Sequence, residues 1–248
     1  MQYWVKFMKK QVYNKFMSKK YFELEKKIGV NFKNKDLLKN VFIHRSYLNE
    51  HKKFHLPSNE RLEFLGDSVL SLITSVYLFK KYKFLEEGDY TEIKSSIVKT
   101  ESLADAANNL CLNDYLLLSH GEQKGGGHDN KNILADCFEA LIGAIFLDQS
   151  FEKAFAFVVN FLFKDTLDYI VDNKLYLSSK SKLQEVIQGK YKMTPVYKVL
   201  EETGPEHKRI FKIGVFFKDK KLGIGTAPSK KEAEEIAAKS AFENLKSI

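Results

Sequence analysis

The spacing of apolar residues changes near residue 175 of this 248-residue chain. From about residue 20 to residue 171, apolar side chains recur every three or four positions, which predicts helices throughout. Beyond residue 179 the pattern predicts a helix, three strands and a last helix, at about Lys180–Lys190, Pro195–Glu202, Arg209–Phe217, Lys221–Ala227 and Ser229–Leu245. The sequence therefore predicts an all-α domain followed by a small α+β domain of αβββα order.

Polar stretches predict the domain boundaries. The run Phe151–Val171 has the pattern of one further helix, and the short polar stretch 172–179 is a predicted linker. We accordingly expect one domain over residues 19–171 and a second over 180–248. Residues 1–18 are predicted to be a disordered basic arm, although Trp4, Phe7 and Phe16 leave open a membrane-surface or transit-type helix.

The net charge of +8 is unevenly distributed. Residues 1–20 hold six lysines and no acid, and residues 180–248 hold 15 basic and 9 acidic side chains. The intervening stretch is acidic, with 19 basic and 23 acidic side chains. This distribution suggests anion binding at the ends of the chain and carboxylate chemistry between them.

Composition narrows the class of protein. Two cysteines, Cys111 and Cys137, exclude a disulfide scaffold and fit a reducing compartment. No apolar run approaches the roughly 18 residues of a membrane span. We therefore expect a cytoplasmic protein with no membrane partner.

The segment Asn59–Leu70 places three acids beside an apolar helix face. At about 100° per residue, Glu60, Glu63 and Asp67 share an arc of about 60°. Like charges so close destabilise a helix by roughly 0.2–0.5 kcal/mol per pair. Either they form a solvated flank or they have a function.

A second acidic pair lies in an otherwise apolar segment, Ile133–Leu147. Its apolar circumference predicts a buried helix, in which Asp136 and Glu139 are neighbours on one face and Gly143 continues that face. Buried carboxylates are unfavourable unless paired or bound to a metal. A salt bridge to a distant base is the structural alternative.

Two helices that each present paired carboxylates make an oxygen-rich site, which suits Mg²⁺, or Mn²⁺ in its place, rather than zinc. His51 and His55 lack further ligands at a recognised zinc spacing. The run Gly125–Gly127 fits a substrate-facing loop or a plain connector equally well.

Four segments, 42–47, 59–70, 119–122 and 133–148, resemble the ribonuclease III endonuclease domain in order and spacing, over roughly residues 20–170. The resemblance implies that Glu63, Asp136 and Glu139 bind metal and that Asp67 and Glu139 are catalytic. Ile43 stands where the family usually has Thr. Residues 128–130 replace an arginine-rich stretch, which puts an RNA role for that loop in doubt.

The last predicted helix begins with a capping box, Ser229 and Glu232. Lys230 and Lys231 occupy its first turn, where the helix dipole disfavours cations by typically 0.3–1 kcal/mol. Lysines at a helix start form an anion site suited to phosphate. The alternative is that these are ordinary exposed lysines with no ligand, because the same sequence pattern would result. With only three arginines in the chain, contacts to the nucleic-acid backbone are favoured over base reading.

Residues 180–246 resemble a double-stranded RNA-binding domain. The resemblance implies minor-groove contacts by Gln184, Glu185 and His207, and phosphate contacts by Lys230 and Lys231.

Together the two resemblances imply a Mg²⁺-dependent endoribonuclease that cleaves double-stranded RNA to 5′-phosphate and 3′-hydroxyl ends. They imply a homodimer with Phe64 near its interface, and they imply substrates among ribosomal RNA precursors, structured messenger RNAs and transfer RNAs. The alternatives are a non-catalytic RNA-binding factor and a DNA nuclease with similar metal chemistry.

Overall fold

A computed structural model describes residues 19–164 and 166–246 of the chain. The predicted arm, residues 1–18, lies outside the described residues. The chain divides into two compact units, and the division falls between Tyr169 and Ile170.

The first unit is helical. Helix α1 covers residues 19–28. The helices that follow it are α2 (Lys35–Asn40), α3 (Arg45–Glu50), α4 (Glu60–Lys81), α5 (Glu87–Ile97), α6 (Thr100–Asn109), α7 (His120–Lys124), α8 (Lys131–Asp148) and α9 (Phe151–Val158). Short 3₁₀ turns at Leu112–Tyr115 and Gly127–Asp129 join the elements on either side of α7.

Helix α8 is the centre of this unit. Its apolar side chains point in every direction and most are buried, among them Leu134, Phe138, Leu141 and Ile145, whereas Leu147 near its end is exposed. It packs against α4 on one side and α6 on another. An apolar circumference therefore produces a buried helix here, as the sequence predicts.

The prediction of one continuous helix over Phe151–Val171 is wrong. After α9 the backbone makes a π-helical turn at Val159–Phe163, leaves helical geometry at Lys164 (φ −55°, ψ 132°), and resumes as α10 at Leu167–Asp172. A π turn adds one residue to the helical repeat. Leu162 and Phe163 are therefore buried together, and apolar spacing alone does not reveal this shift.

Helix α4 is long enough and apolar enough, by length and composition alone, to cross a membrane, and it is the one such helix among the described residues. This differs from the sequence expectation. The core helix of a globular protein passes the same test. Because Leu62, Val69 and Ile73 of α4 are buried and α4 packs on α8, we interpret it as a core helix.

The second unit has the predicted αβββα order. It consists of α11 (Ser179–Tyr191), strands β1 (Val196–Thr203), β2 (Ile210–Phe217) and β3 (Lys220–Ala227), and α12 (Lys230–Lys246). The strands form an antiparallel sheet in the order β1-β2-β3. The predicted fold class, an all-α domain followed by a small αβββα domain, is confirmed.

Small residues let α12 lie close against the sheet. A Cβ atom at Gly223 or Gly225 would come closer than 3.0 Å to the backbone of α12. The core between them is made of Leu183, Ile187, Val215, Ala237, Ala238 and Ala241. This packing fixes the direction in which the first turn of α12 points.

Candidate active site

Two glycines bring α4 and α8 into backbone contact. A Cβ at Gly66 would lie closer than 3.0 Å to the carbonyl oxygen of Glu139, and a Cβ at Gly143 would do the same to the carbonyl oxygen of Leu62. Only hydrogen atoms fit at both positions. The acidic residues on either side of this crossing are therefore held next to each other by the backbones themselves.

Three of the four predicted carboxylates converge at the crossing. Glu63 from α4 and Asp136 and Glu139 from α8 each offer an oxygen, and these atoms lie within 4.8 Å of one another. All three side chains are half-buried. The arrangement makes an oxygen-lined site of a size that suits one hard cation.

Asp67 lies at the edge of this group, one helical turn beyond Glu63. It is exposed, and it is not among the three residues whose ligand atoms converge. Its negative charge nevertheless acts on both Glu139 and Glu63. The structure thus brings all four predicted carboxylates into one electrostatic neighbourhood, with Asp67 nearest to solvent.

The charges in this site repel one another. Burial, followed by the charges of Asp67, Asp136 and Glu63, raises the pKa of Glu139 to about 8. Burial and the neighbouring acids, Asp136 first, also raise the pKa of Glu63. Burial raises the pKa of Asp136, and His44 and Arg45 oppose that rise. A divalent cation would relieve this repulsion.

The structural alternative for α8 was a salt bridge to a distant base. Among residues 19–164 and 166–246, no lysine or arginine forms an ion pair with any of the four carboxylates. The nearby Arg45 instead lies 3.8 Å from Glu60, which also accepts a hydrogen bond from the Ser58 hydroxyl at 2.6 Å. Glu60 is therefore paired, whereas the converging carboxylates are not.

Backbone hydrogen bonds fix the start of α4. The N–H of Asn59 donates to the Ile43 carbonyl at 2.9 Å, and its side-chain amide donates to the Val41 carbonyl at 3.1 Å. The side chain of Asn130 caps α8 by accepting hydrogen bonds from the N–H groups of Asn132 and Ile133. Both helices thus enter the crossing from anchored ends.

His44 and Ser46 lie near this site, and the sequence analysis assigned no role to either of them. The His44 ring caps α3 by accepting a hydrogen bond from the Ser46 N–H at 3.3 Å. The charges of Glu122 and Asp136 act on it. Burial lowers the pKa of His44 in spite of those charges. His is not among the preferred N-cap residues, so capping rules applied to the sequence do not indicate this role.

Two other predicted features have structural roles. His51 stacks on Tyr47, with ring centroids 3.9 Å apart, and it belongs to no metal-binding group in the described part of the chain. In the glycine loop, Gly126 adopts a left-handed conformation with φ +81°, and His128 bonds to the Asn113 carbonyl at 2.8 Å.

The residues expected to contact RNA lie in the second unit. Lys230 and Lys231 are exposed at the start of α12, where the Ser229 hydroxyl accepts the N–H of Glu232 at 3.2 Å. Lys230 also lies over the Phe211 ring, 5.4 Å from its centroid. Both lysines are free of carboxylate partners among the described ion pairs, as a phosphate-binding site requires.

The other predicted RNA contacts differ from one another. Gln184 and Glu185 are both exposed on α11, but Glu185 lies 3.3 Å from the Lys174 ammonium. His207 falls in a 3₁₀ turn, Glu206–Lys208, and its side chain lies outside what the structure describes. The turn itself follows Gly204, which has a φ of +91°.

Comparisons with known proteins agree with both units. A family model described as ribonuclease-III-like matches residues 34–166, and the double-stranded RNA binding motif matches residues 179–245. Ribonuclease 3 of Treponema denticola is 43% identical over 223 residues, which are 90% of this chain and 90% of that protein. Ribonuclease 3 of Bacillus velezensis is 42% identical over 96% of this chain and 94% of its own length.

A solved structure resembles the first unit. The nuclease domain of ribonuclease III from Campylobacter jejuni, described as flexible in the region involved in dimer formation, aligns with a TM-score of 0.53 and 38% identity, over 58% of this chain and 96% of that one. A helical nuclease unit joined to a double-stranded RNA-binding unit defines an endoribonuclease that acts on duplex RNA. This chain belongs to the ribonuclease III family.

Proposed function

We propose that the protein is a Mg²⁺-dependent endoribonuclease that cuts both strands of duplex RNA and leaves 5′-phosphate and 3′-hydroxyl ends. The observation that carries the metal dependence is the convergence of Glu63, Asp136 and Glu139, whose oxygens lie within 4.8 Å of one another. Half-buried carboxylates with raised pKa values and no cationic partner among the described residues are stabilised by a divalent ion.

The donor set fits a hard cation. All three groups offer carboxylate oxygens, which Mg²⁺ prefers and which Mn²⁺ also accepts. Glu63, Asp136 and Glu139 would hold the ion between α4 and α8. When bound, such an ion lowers the pKa of a coordinated water and offsets the charge that develops on the phosphate.

Asp67 and Glu139 are the proposed catalytic pair. Asp67 is the exposed member of the four, and so it can reach both substrate and solvent. Its charge acts on Glu139, which supports a shared task. We assign them the alignment of the attacking water opposite the departing 3′ oxygen, by accepting hydrogen bonds from that water.

The second unit would make the protein selective for double-stranded RNA. Exposed Lys230 and Lys231 would contact phosphates, while Gln184, Glu185 and His207 would reach the minor grooves on either side. In the cytoplasm the substrates would be ribosomal RNA precursors, structured messenger RNAs and transfer RNAs. The family and the basic charge of this unit support these assignments.

The proposed active form is a homodimer, because a duplex has two antiparallel strands and a two-fold axis offers one site to each. Helix α4 supports it with apolar side chains that face solvent: Phe64 is 78% exposed and Phe79 is 72% exposed. At about 100° per residue they lie within roughly 60° of each other. A groove of about 610 Å³ beside Phe79, lined also by Ser75 and Tyr90, continues this face. Exposed apolar surface of this kind is typical of an interface.

The test is a cleavage assay with long duplex RNA and duplex DNA, each with and without Mg²⁺. We expect cleavage of RNA only, with Mg²⁺ only, and 5′-phosphate ends. Glu139→Gln should lower the cleavage rate by about a thousandfold, since a metal ligand contributes several kcal/mol and each 1.36 kcal/mol is a factor of ten, while duplex binding persists.

Glu101→Gln is the matched control, because Glu101 is an exposed acid in the first turn of α6 and should leave the rate unchanged. Equal cutting of duplex DNA would identify a DNA nuclease instead. Binding without cleavage under any of these conditions would identify a non-catalytic RNA-binding factor.

A further inference from the structure

His44 is held in place by the backbone around it. Its N–H donates to the Leu117 carbonyl at 3.2 Å, and the Leu117 N–H donates to the Phe42 carbonyl at 2.7 Å. These bonds form a short parallel bridge between Ile43 and Leu117. The same Ile43 anchors the start of α4 through its carbonyl. His44 is thus fixed relative to the helix that carries Glu63 and Asp67.

The side chain is fixed as firmly as the backbone. Nδ1 of His44 lies 2.8 Å from the Ser46 hydroxyl oxygen and accepts the Ser46 N–H at 3.3 Å. The Ser46 hydroxyl in turn accepts the N–H of Ser119 at 3.1 Å. Because the Ser46 N–H can only donate, Nδ1 must accept from it, and the Ser46 hydroxyl can then donate to the same nitrogen. Nδ1 is therefore an acceptor, and in the neutral ring the proton lies on Nε2.

Nε2 of His44 has no hydrogen-bond partner among the described residues, and the ring is close enough to the carboxylate site to be affected by its charges. The charges of Asp136 and Glu122 act on the ring, and His44 is the first of the cationic groups that act on Asp136. Within the described chain no carboxylate lies at ion-pair distance from His44. Nε2 therefore remains a donor with no acceptor among the described residues.

We propose that His44 binds the substrate: its Nε2–H donates a hydrogen bond to a non-bridging oxygen of the RNA phosphate held at the carboxylate cluster. This inference rests on the proposed function, since it needs RNA at that site. A donor fixed by Ser46 and Ser119 needs no reorganisation when the phosphate arrives, and preorganised donors of this kind stabilise developing charge.

Two substitutions separate this role from capping. His44→Asn keeps an acceptor near the position of Nδ1, and Asn is a strong N-cap, but it removes the donor at Nε2. His44→Gln places an amide N–H near the position of Nε2 and gives up the cap. Single-turnover cleavage of duplex RNA with saturating Mg²⁺ and thermal unfolding are measured for both variants and for the wild-type protein.

We expect the two variants to rank in opposite order by unfolding temperature and by cleavage rate. His44→Asn should unfold at the wild-type temperature and cleave at least about tenfold more slowly, the effect of losing a hydrogen bond to a charged group. His44→Gln should unfold a few degrees lower, as for a lost cap, yet cleave within about threefold of wild type.

If the wild-type protein cleaves duplex RNA and His44→Asn cleaves it at the same rate, the inference is overturned and the proposed function is left intact. Equal rate losses in both variants, or rates that follow the unfolding temperatures, would also overturn it, because His44 would then act only through the fold. Absence of wild-type cleavage would overturn both proposals.

Discussion

The two charged surfaces of this protein are built in opposite ways. At the crossing of α4 and α8, glycine contacts hold half-buried carboxylates together; burial raises the pKa values of Glu63, Asp136 and Glu139, and neighbouring carboxylates raise those of Glu63 and Glu139 further. At the start of α12, Lys230 and Lys231 extend into solvent. The carboxylate surface holds repelling charges in a fixed geometry, whereas the lysine surface leaves its charges in contact with water.

The difference follows from what each surface must bind. A small hard cation needs several oxygens at fixed short distances, and only a rigid frame can hold repelling carboxylates there. A nucleic-acid backbone is a long row of phosphates, which flexible, solvated lysines can follow. Rigidity should therefore matter most at the first surface and ionic strength most at the second.

The largest expected effect comes from breaking the rigid frame. Gly66→Ala places a methyl group against the Glu139 carbonyl at a distance that no normal contact allows, so the two helices must separate. We expect a loss of about 3 kcal/mol in the free energy of unfolding of the first unit, and no cleavage of duplex RNA. Urea unfolding and the cleavage assay measure the two results.

Gly88→Ala is the control for that change. Gly88 lies in α5 with nothing within 4 Å of the position that a Cβ would take. Alanine there should leave cleavage unchanged and stabilise the helix by up to about 1 kcal/mol. If Gly66→Ala behaved in the same way, close backbone contact would not be what organises the carboxylates.

A smaller effect should come from the solvated surface. The double substitution of Lys230→Gln with Lys231→Gln should weaken duplex RNA binding about tenfold or more, and it should reduce the slope of log K against log salt concentration by about 2. Fluorescence anisotropy at several salt concentrations measures both quantities. The unfolding temperature should not fall, because both side chains are exposed.

The matched control removes the same charge elsewhere in the second unit. Lys220 and Lys239 are also exposed, and Lys239 lies on the opposite side of α12 from Lys230. Replacing both with Gln should change affinity and salt slope much less. An equal change in the two double variants would mean that total charge, and not the start of α12, governs binding.

The same contrast explains what the sequence could predict. Helical spacing alone assigns Glu63 and Asp67 to one face, and the apolar surroundings of Asp136 and Glu139 alone indicate that they are costly to bury. The meeting of the two pairs depends on Gly66 and Gly143, whose close approach is a property of packing. Spacing rules describe one element at a time and cannot specify which elements cross.

Two further features could not be predicted from the sequence, because spacing rules describe one element at a time. The π turn at Val159–Phe163 shifts a buried face by one residue, and an apolar-rich segment reads as helical in either register. The His44 ring is oriented by Ser46, whose hydroxyl accepts a hydrogen bond from the N–H of Ser119, 73 residues away. Both features depend on tertiary contacts.

The smallest expected effect tests the stored repulsion itself, without metal. Because the pKa of Glu139 is raised to about 8 in the folded protein, the folded state keeps a proton that the unfolded state loses above about pH 5. Stability should therefore fall as the pH rises from about 5 to 8. Glu139→Gln removes this loss, and at pH 8 without divalent ions it should stabilise the first unit by about 1 kcal/mol after solvent screening, or about 2–4 °C.

Adding Mg²⁺ should raise the unfolding temperature of the wild type more than that of the variant. If Glu139→Gln instead lowered stability at pH 8 in EDTA, this side chain would hold the two helices together and would not strain them.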